Sequence, residues 1–275
     1  MSDAIRSEFA VLDGLRVHYL TAGDGDPVLL LHGWPTSSHL WRNVIPHLSG
    51  SRRVFALDLP GFGRSDKPAD ASYSFRFYER VLEAFCAELG IARTALAVHD
   101  LGGPIGLYWA VRNPQRISSL ALLNTFVYPE VSSAVKLFVL ATRTPLLRDW
   151  LASPSGIAAA LRLGVERRER LTPEVLAPYQ EPCRERAARR ALLAAGHGLH
   201  PDGLREIAEK LPRFEVPVRI VYGENDRILP DIARTMARVA RDLPQARVTA
   251  LRGCGHFVQE DAPTAVGRAL RDGLV

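Results

Sequence analysis

The chain has 275 residues, 47% of them hydrophobic, and a formal net charge of +5 at pH 7. That length suits one large α/β domain carrying an inserted subdomain, and the apolar fraction is enough for a sizeable core. The longest apolar runs are too short to span a bilayer, and the run at 134–140 carries Lys136, so no membrane partner is expected.

All but three of the 35 basic residues are arginines, the exceptions being Lys67, Lys136 and Lys210. With alanine and leucine abundant, this bias reflects a GC-rich coding sequence rather than a nucleic-acid footprint. The arginines of 162–190 are interleaved with Glu166, Glu169, Glu174, Glu181 and Glu185, the pattern of a solvated helical face. Nucleic acid is therefore not an expected partner. The opening MSDAIRSEF has no apolar run behind a basic start, so no leader is read there. Cys86, Cys183 and Cys254 have no metal-ligand spacing and no even-numbered pairing, and read as free thiols of a reducing cytoplasm. No metal and no cofactor are expected, and oligomeric state is not legible.

In chain order, residues 8–12 and 16–20 alternate around Asp13-Gly14, which predicts a hairpin. Residues 28–31 form a short apolar run fit for a strand buried on both faces, ending in His32-Gly33-Trp34-Pro35. Ser37 or Ser38 caps a predicted helix with Leu40, Trp41, Val44, Ile45 and Leu48 on one face. A second buried strand at 54–57 leads into the loop DLPGFGRSDKP. Residues 77–89 are amphipathic, with Tyr78, Val81, Leu82, Phe85 and Leu89 aligned. The stretch TALAVHDLGGPIGLYWA at 94–110 reads as strand, turn and helix, and 117–123 as a strand ending at Asn124. The strand rhythm then stops until Val218, with helical segments punctuated by prolines between. A strand at 218–222, a helix at 232–243, a strand at 247–251 and a helix at 262–270 complete the chain. Alternating strands and helices predict a mostly parallel twisted sheet with helices on both faces. The core is expected to comprise 1–124 and 213–275, with a helical cap at 125–212.

In such sheets, chemistry gathers at the carboxyl ends of the strands. Asp100 stands at one such end, before Gly102-Gly103 and a helix, the layout of a nucleophile elbow with aspartate where serine is usual. Its rival reading is a helix N-cap. The glycine pair favours the elbow, because small residues are needed where a turn packs tightly, and the helix N-terminus keeps a carboxylate ionised. His256, in GCGHFVQE after the 247–251 strand, fits a general base that activates water. Asp226, after the 218–222 strand, fits the acid that orients it. The order Asp100, Asp226, His256 is the nucleophile–acid–base order of the α/β-hydrolase fold. The backbone N–H groups of Trp34 and Leu101 are candidates for an oxyanion hole, and the Trp34 indole for a leaving-group donor. His32 and His99 read as supports of their loops, and Trp41 and Trp109 as core.

At these residues the chain resembles the α/β-hydrolase superfamily along almost its whole length. It looks most like the haloalkane dehalogenases and their epoxide hydrolase relatives. The segments that carry the likeness are HGWPTSSHLWRNVIPHL, LDLPGFGRSDKP, VHDLGGPIG, GENDRILP and GCGHFVQEDAP, together with LTPEVLAPYQEPCRERAARRALL in the insertion. The resemblance implies Asp100 as nucleophile, His256 as base and Asp226 as acid, Asn124 standing where some dehalogenases carry a glutamate. It also marks one departure. Relatives have tryptophan directly after the nucleophile, where its indole holds the departing halide. This chain has Leu101, and Trp34 stands where many carry a second halide donor. The resemblance thus implies a hydrolase acting on a small apolar organic substrate through an ester on Asp100. An epoxide hydrolase is the alternative, with cap residue Tyr179 as acid and Tyr128, His197 and His200 behind it. A ligand-binding homologue without turnover is a third reading.

Overall fold

A computed structural model describes residues 4–130 and 132–274; the first three residues of the segment searched for a leader lie outside it. Eight strands form one sheet: β1 (Arg6–Leu12), β2 (Leu15–Ala22), β3 (Asp26–Leu31), β4 (Arg52–Leu57), β5 (Thr94–His99), β6 (Ile117–Leu123), β7 (Val218–Gly223) and β8 (Arg247–Leu251). Their order is β1-β2-β4-β3-β5-β6-β7-β8. The β1–β2 hairpin turns at Asp13-Gly14 and β2 joins β4 antiparallel, while every later pairing is parallel. The central strands β3, β5 and β6 are buried on both faces over their apolar runs 28–31, 95–98 and 120–123.

The helices are α1 (Phe75–Glu88), α2 (Gly102–Arg112), α3 (Ser133–Arg143), α4 (Leu147–Leu151), α5 (Pro154–Gly164), α6 (Pro173–Gln180), α7 (Arg186–His197), α8 (Pro201–Lys210), α9 (Ile232–Asp242), α10 (Val258–Asp261) and α11 (Pro263–Arg271). The insertion follows Asn124, between β6 and β7, as expected. Two details differ from the sequence reading. The helix after Ser37 is instead two 3-10 turns, Ser38–Trp41 and Ile45–His47. Pro46 has no N–H for a helical ladder and disfavours α geometry at the residue before it. The apolar face still reaches the core: Leu40, Trp41, Val44, Ile45 and Leu48 are all fully buried. Second, α8 was expected within the cap but packs beside α2. A Cβ on Gly203 would meet the Phe75 ring of α1, and Arg112 donates to Glu206 at 2.8 Å. The rest of the insertion is α3 to α7.

Candidate active site

β5 buries all six of its residues and delivers Asp100 to its carboxyl end. Asp100 has φ of +49°, in the left-handed region, which costs an L-residue roughly 1–2 kcal/mol. Three hydrogen bonds hold it there. Its N–H donates to the Asn124 carbonyl at 3.2 Å, and its own carbonyl accepts from Thr125 Oγ1 at 2.7 Å and from the Gly103 N–H at 2.9 Å. The glycine pair is explained by close approach. A Cβ on Gly102 would meet backbone carbonyls at the end of β3, and one on Gly103 would meet the Thr125 hydroxyl. The Asp100 side chain bonds no N–H within α2. It accepts from the Trp34 N–H at 2.7 Å on Oδ1. The elbow geometry is present and the helix-cap geometry is not.

Asp100 Oδ2 faces Nε2 of His256 at 3.5 Å. The other imidazole nitrogen, Nδ1, donates to Asp226 Oδ2 at 2.8 Å. His256 is fully buried, and its Nε2 has no hydrogen-bond partner. Asp226 leaves the end of β7 in a turn whose Ile228 and Leu229 N–H groups donate to Oδ1 at 2.8 and 2.7 Å. Asn124 completes its shell, donating from Nδ2 to Asp226 Oδ2 at 2.8 Å while its Oδ1 accepts from the Gly223 N–H at 3.1 Å. Asn124 therefore braces Asp226 from the neighbouring strand. Sequence reasoning saw in it only a missing glutamate. A polar residue closing an otherwise apolar strand was the available signal.

The charges of this cluster follow from its geometry. Burial opposes the ionised form of Asp100, but the adjacent His256 ring outweighs it and holds the carboxyl below its ordinary value. Burial likewise opposes ionisation of Asp226, and the His256 charge again wins. Burial alone would lower the pKa of His256, yet Asp226 and Asp100 together raise it to about 10. The two carboxylates thus favour the charged form of the imidazole between them.

The remaining expected residues are placed as follows. His99 donates from Nε2 to the His256 carbonyl at 3.0 Å, and burial lowers its pKa to about 3, so it braces the base as a neutral ring. His32 donates from Nδ1 to the Gly33 carbonyl at 3.0 Å and accepts the Leu59 N–H on Nε2 at 3.0 Å, tying its loop to the end of β4. Trp41 and Trp109 are core. The Trp34 indole packs edge-on against Phe138 of α3 at 4.7 Å, lies 3.9 Å from the Cβ position of Gly196, and makes no hydrogen bond among the described residues. It is a free donor beneath the cap.

Tyr179 is not where a cap acid should be. Its hydroxyl donates to Glu260 Oε1 at 2.6 Å, and Glu260 is gripped by both Arg42 Nη atoms at 2.6 and 2.9 Å. A phenol committed to a buried carboxylate has its proton pointed away from any substrate. Burial pushes its pKa well up. Tyr128 donates to Asp242 at 2.6 Å, His197 pairs with Thr142 at 2.7 Å, and His200 is exposed beside Asp202. None of the four is hydrogen-bonded to Asp100 or His256. Sequence reasoning also missed Asp261. Fully buried, it accepts the Gly255 N–H at 2.7 Å, the Glu166 N–H at 3.2 Å and the Arg167 N–H at 2.8 Å, stitching the His256 loop to the cap. Two acids directly after an apolar histidine loop were its only trace in the sequence.

The fold and this cluster define a hydrolase class. The family model of the alpha/beta hydrolase fold matches residues 26–263, and the chain belongs to that family. Within it the chain falls in the haloalkane dehalogenase-like branch. It is 30% identical to the haloalkane dehalogenase of Agrobacterium fabrum, over 94% of this chain and 88% of that one. It is also 30% identical to the cis-3-alkyl-4-alkyloxetan-2-one decarboxylase of Shewanella oneidensis, over 95% of this chain and 86% of that one. The crystal structure of haloalkane dehalogenase DbeA from Bradyrhizobium elkani superposes with a TM-score of 0.87 at 28% identity, covering 98% of this chain and 97% of the other. The protein is a dehalogenase-like hydrolase.

Proposed function

We propose that Asp100 is the nucleophile of a haloalkane dehalogenase-like reaction, Asp226 the acid and His256 the base. The observation that carries this is the division of the Asp100 carboxylate. Oδ1 is held at 2.7 Å by Trp34 N–H, while Oδ2 faces His256 Nε2 at 3.5 Å. Oδ2 attacks an sp³ carbon; the C–O bond forms and the carbon–halogen bond breaks, its electron pair leaving as halide. The free Trp34 indole N–H supports the halide. The new ester removes the charge of Asp100, so His256 becomes less basic and releases its proton to solvent, the proton that accompanies the halide in the net reaction. Neutral Nε2 then takes a proton from water, and the hydroxide oxygen adds to Asp100 Cγ. Charge develops on the oxygen already held by the Trp34 N–H, and the Leu101 N–H is the second donor proposed for an oxyanion hole there. Collapse expels the alcohol, protonated from His256, and restores the carboxylate with one oxygen from water.

The test is a single turnover in ¹⁸O-water with excess enzyme and a bromoalkane. The label is expected on Asp100, with unlabelled product alcohol. Label in the alcohol would mean direct attack by water and would refute the nucleophile assignment. With His256→Gln, one equivalent of bromide and a trapped ester on Asp100 are expected by mass spectrometry.

Leu101 favours one further reading. It supplies no side-chain donor for a halide. Ring opening of an oxetan-2-one, the substrate type in the name of the Shewanella relative, expels a carboxylate that spreads its own charge and needs less help. Assay of carbon dioxide release from such a lactone, beside bromide release, separates the two substrates. The three cysteines are buried and free, which supports a reducing compartment such as the cytoplasm.

A further inference from the structure

The outer surface of the cap combines exposed apolar side chains with uncompensated positive charge. Residues 143–150 are exposed without a break. Within and before them Leu146 is 83% exposed, Leu137 66%, Leu140 62% and Trp150 48%. Leu137 and Leu140 lie on the face of α3 that also carries Lys136 and Arg143, while the opposite face sends Phe138 to Trp34. Leu146 has φ of +66°, so the turn into α4 holds a large apolar side chain outward in a conformation that such residues seldom adopt.

The charge lies beside these side chains. A cleft of about 500 Å³ between α4 and α7 is lined by Arg148, Asp149, Arg186, Arg189, Arg190 and Leu193, among others. Among the described residues, Lys136, Arg143, Arg186, Arg189 and Arg190 form no ion pair, and Arg148 meets only its neighbour Asp149 at 3.7 Å. Arg189 Nε is buried with no hydrogen-bond partner. Four arginines thus line the cleft with one carboxylate, Asp149, Lys136 and Arg143 add two unpaired cations on α3, and the helix that lines the cleft carries Leu147 and Trp150.

We propose that this face of the cap docks on an anionic lipid bilayer. Headgroup phosphates would seat in the arginine cleft, and Leu137, Leu140, Leu146, Leu147 and Trp150 would enter the headgroup–acyl boundary. An exposed apolar patch rimmed by arginine and lysine matches that interface in both its parts. A soluble polyanion would answer the arginines and leave the leucines exposed. A second copy would present the same positive charge to itself. The absence of a helix long and apolar enough to cross a membrane does not bear on surface docking.

The experiment is co-sedimentation of the full chain with phosphatidylcholine vesicles, with and without phosphatidylglycerol, at low and high salt. Trp150 emission is followed in parallel. Partition onto the anionic vesicles is expected, weakened by salt, with a blue shift absent from Trp150→Phe. Each arginine near an anionic surface contributes about fivefold in partition, so Arg148→Gln/Arg190→Gln is expected to lower it about 25-fold. Leu146→Ser/Leu147→Ser is expected to lower it at least about tenfold. Both variants should keep the parent melting temperature and bromide-release rate in free solution. No partition, or equal partition onto neutral vesicles, overturns the proposal. So does duplex DNA binding that needs the arginines and not the leucines, or a dimer in light scattering that the leucine variant dissolves.

Discussion

His256 should change its basicity when Asp100 loses its charge, and Asp100→Asn mimics the neutral ester without the chemistry. The carboxylate oxygen stands 3.5 Å from Nε2. Coulomb attraction at that distance is roughly 5 kcal/mol at an effective dielectric of 20, and roughly 1 kcal/mol with the dielectric of water. At 1.36 kcal/mol per pKa unit, the His256 pKa is expected to fall from about 10 to between about 6 and 9 in the variant. Asp226→Asn removes the closer and more deeply buried partner, at 2.8 Å. There burial takes over and the value should drop further than in Asp100→Asn. The assay is ¹⁵N-histidine NMR across the pH range, with His256→Gln assigning the resonance among eight histidines. A His256 pKa unchanged in Asp100→Asn would refute the idea that esterification switches the base on.

Tyr179→Phe removes one hydrogen bond to a buried carboxylate that keeps Arg42. It should cost about 1.5–3 kcal/mol in urea unfolding and leave turnover of the folded enzyme unchanged; loss of diol formation from an epoxide would reinstate it as an acid. Gly33→Ala puts a Cβ onto Asp100 Oδ1 and the Leu101 N–H. Bromide release should fall by about two decades or more, with a smaller effect on melting temperature. Asp58 is fully buried; burial would raise its pKa, but the hydrogen bond and charge of His18 bring it to about 2. Because the folded value is depressed, this stabilisation is full above the ordinary value of 3.8 and is lost as pH falls through about 2. It is worth about 2 kcal/mol at pH 7. Asp58→Asn should therefore lose most stability near neutrality, and the gap to the parent should close in acid. Leu101→Trp restores an indole beside the nucleophile and should raise bromide release by about one to two decades; no gain would mean that another step limits the rate.

What was legible in the sequence had a periodic or positional reason to be so. Buried parallel strands must be apolar throughout, so Asp100, Asp226 and His256 stood out as the polar residues that follow such runs. Their order and placement then implied one another. Side chains that bond across elements left no such trace. Asn124 works through Asp226, 102 residues further on. Glu260 joins Arg42 and Tyr179 from three parts of the chain. The cap was hardest to read because its helices pack on each other while α8 packs on α2. That is why α8 read as cap and why Tyr179, a tyrosine among prolines, read as free.

The stretch 255–261 joins these levels. It supplies His256, and it holds the cap at three points: Phe257 N–H to the Gly164 carbonyl at 3.2 Å, Asp261 to the 166–167 backbone, and Glu260 to Tyr179. Asp100 draws mainly on a different support, in Trp34, Asn124 and Thr125, with Asn124 and His99 as the links between the two. In the proposed reaction the two half-reactions therefore lean on largely different contacts. A change in cap packing at Gly164 to Arg167 bears on the position of Nε2 and so on ester hydrolysis. A change at the Trp34 loop bears on Oδ1 and the departing group, and so on ester formation. Which half limits turnover decides which of the two supports governs the rate, and trapping of the ester on Asp100 reads that directly.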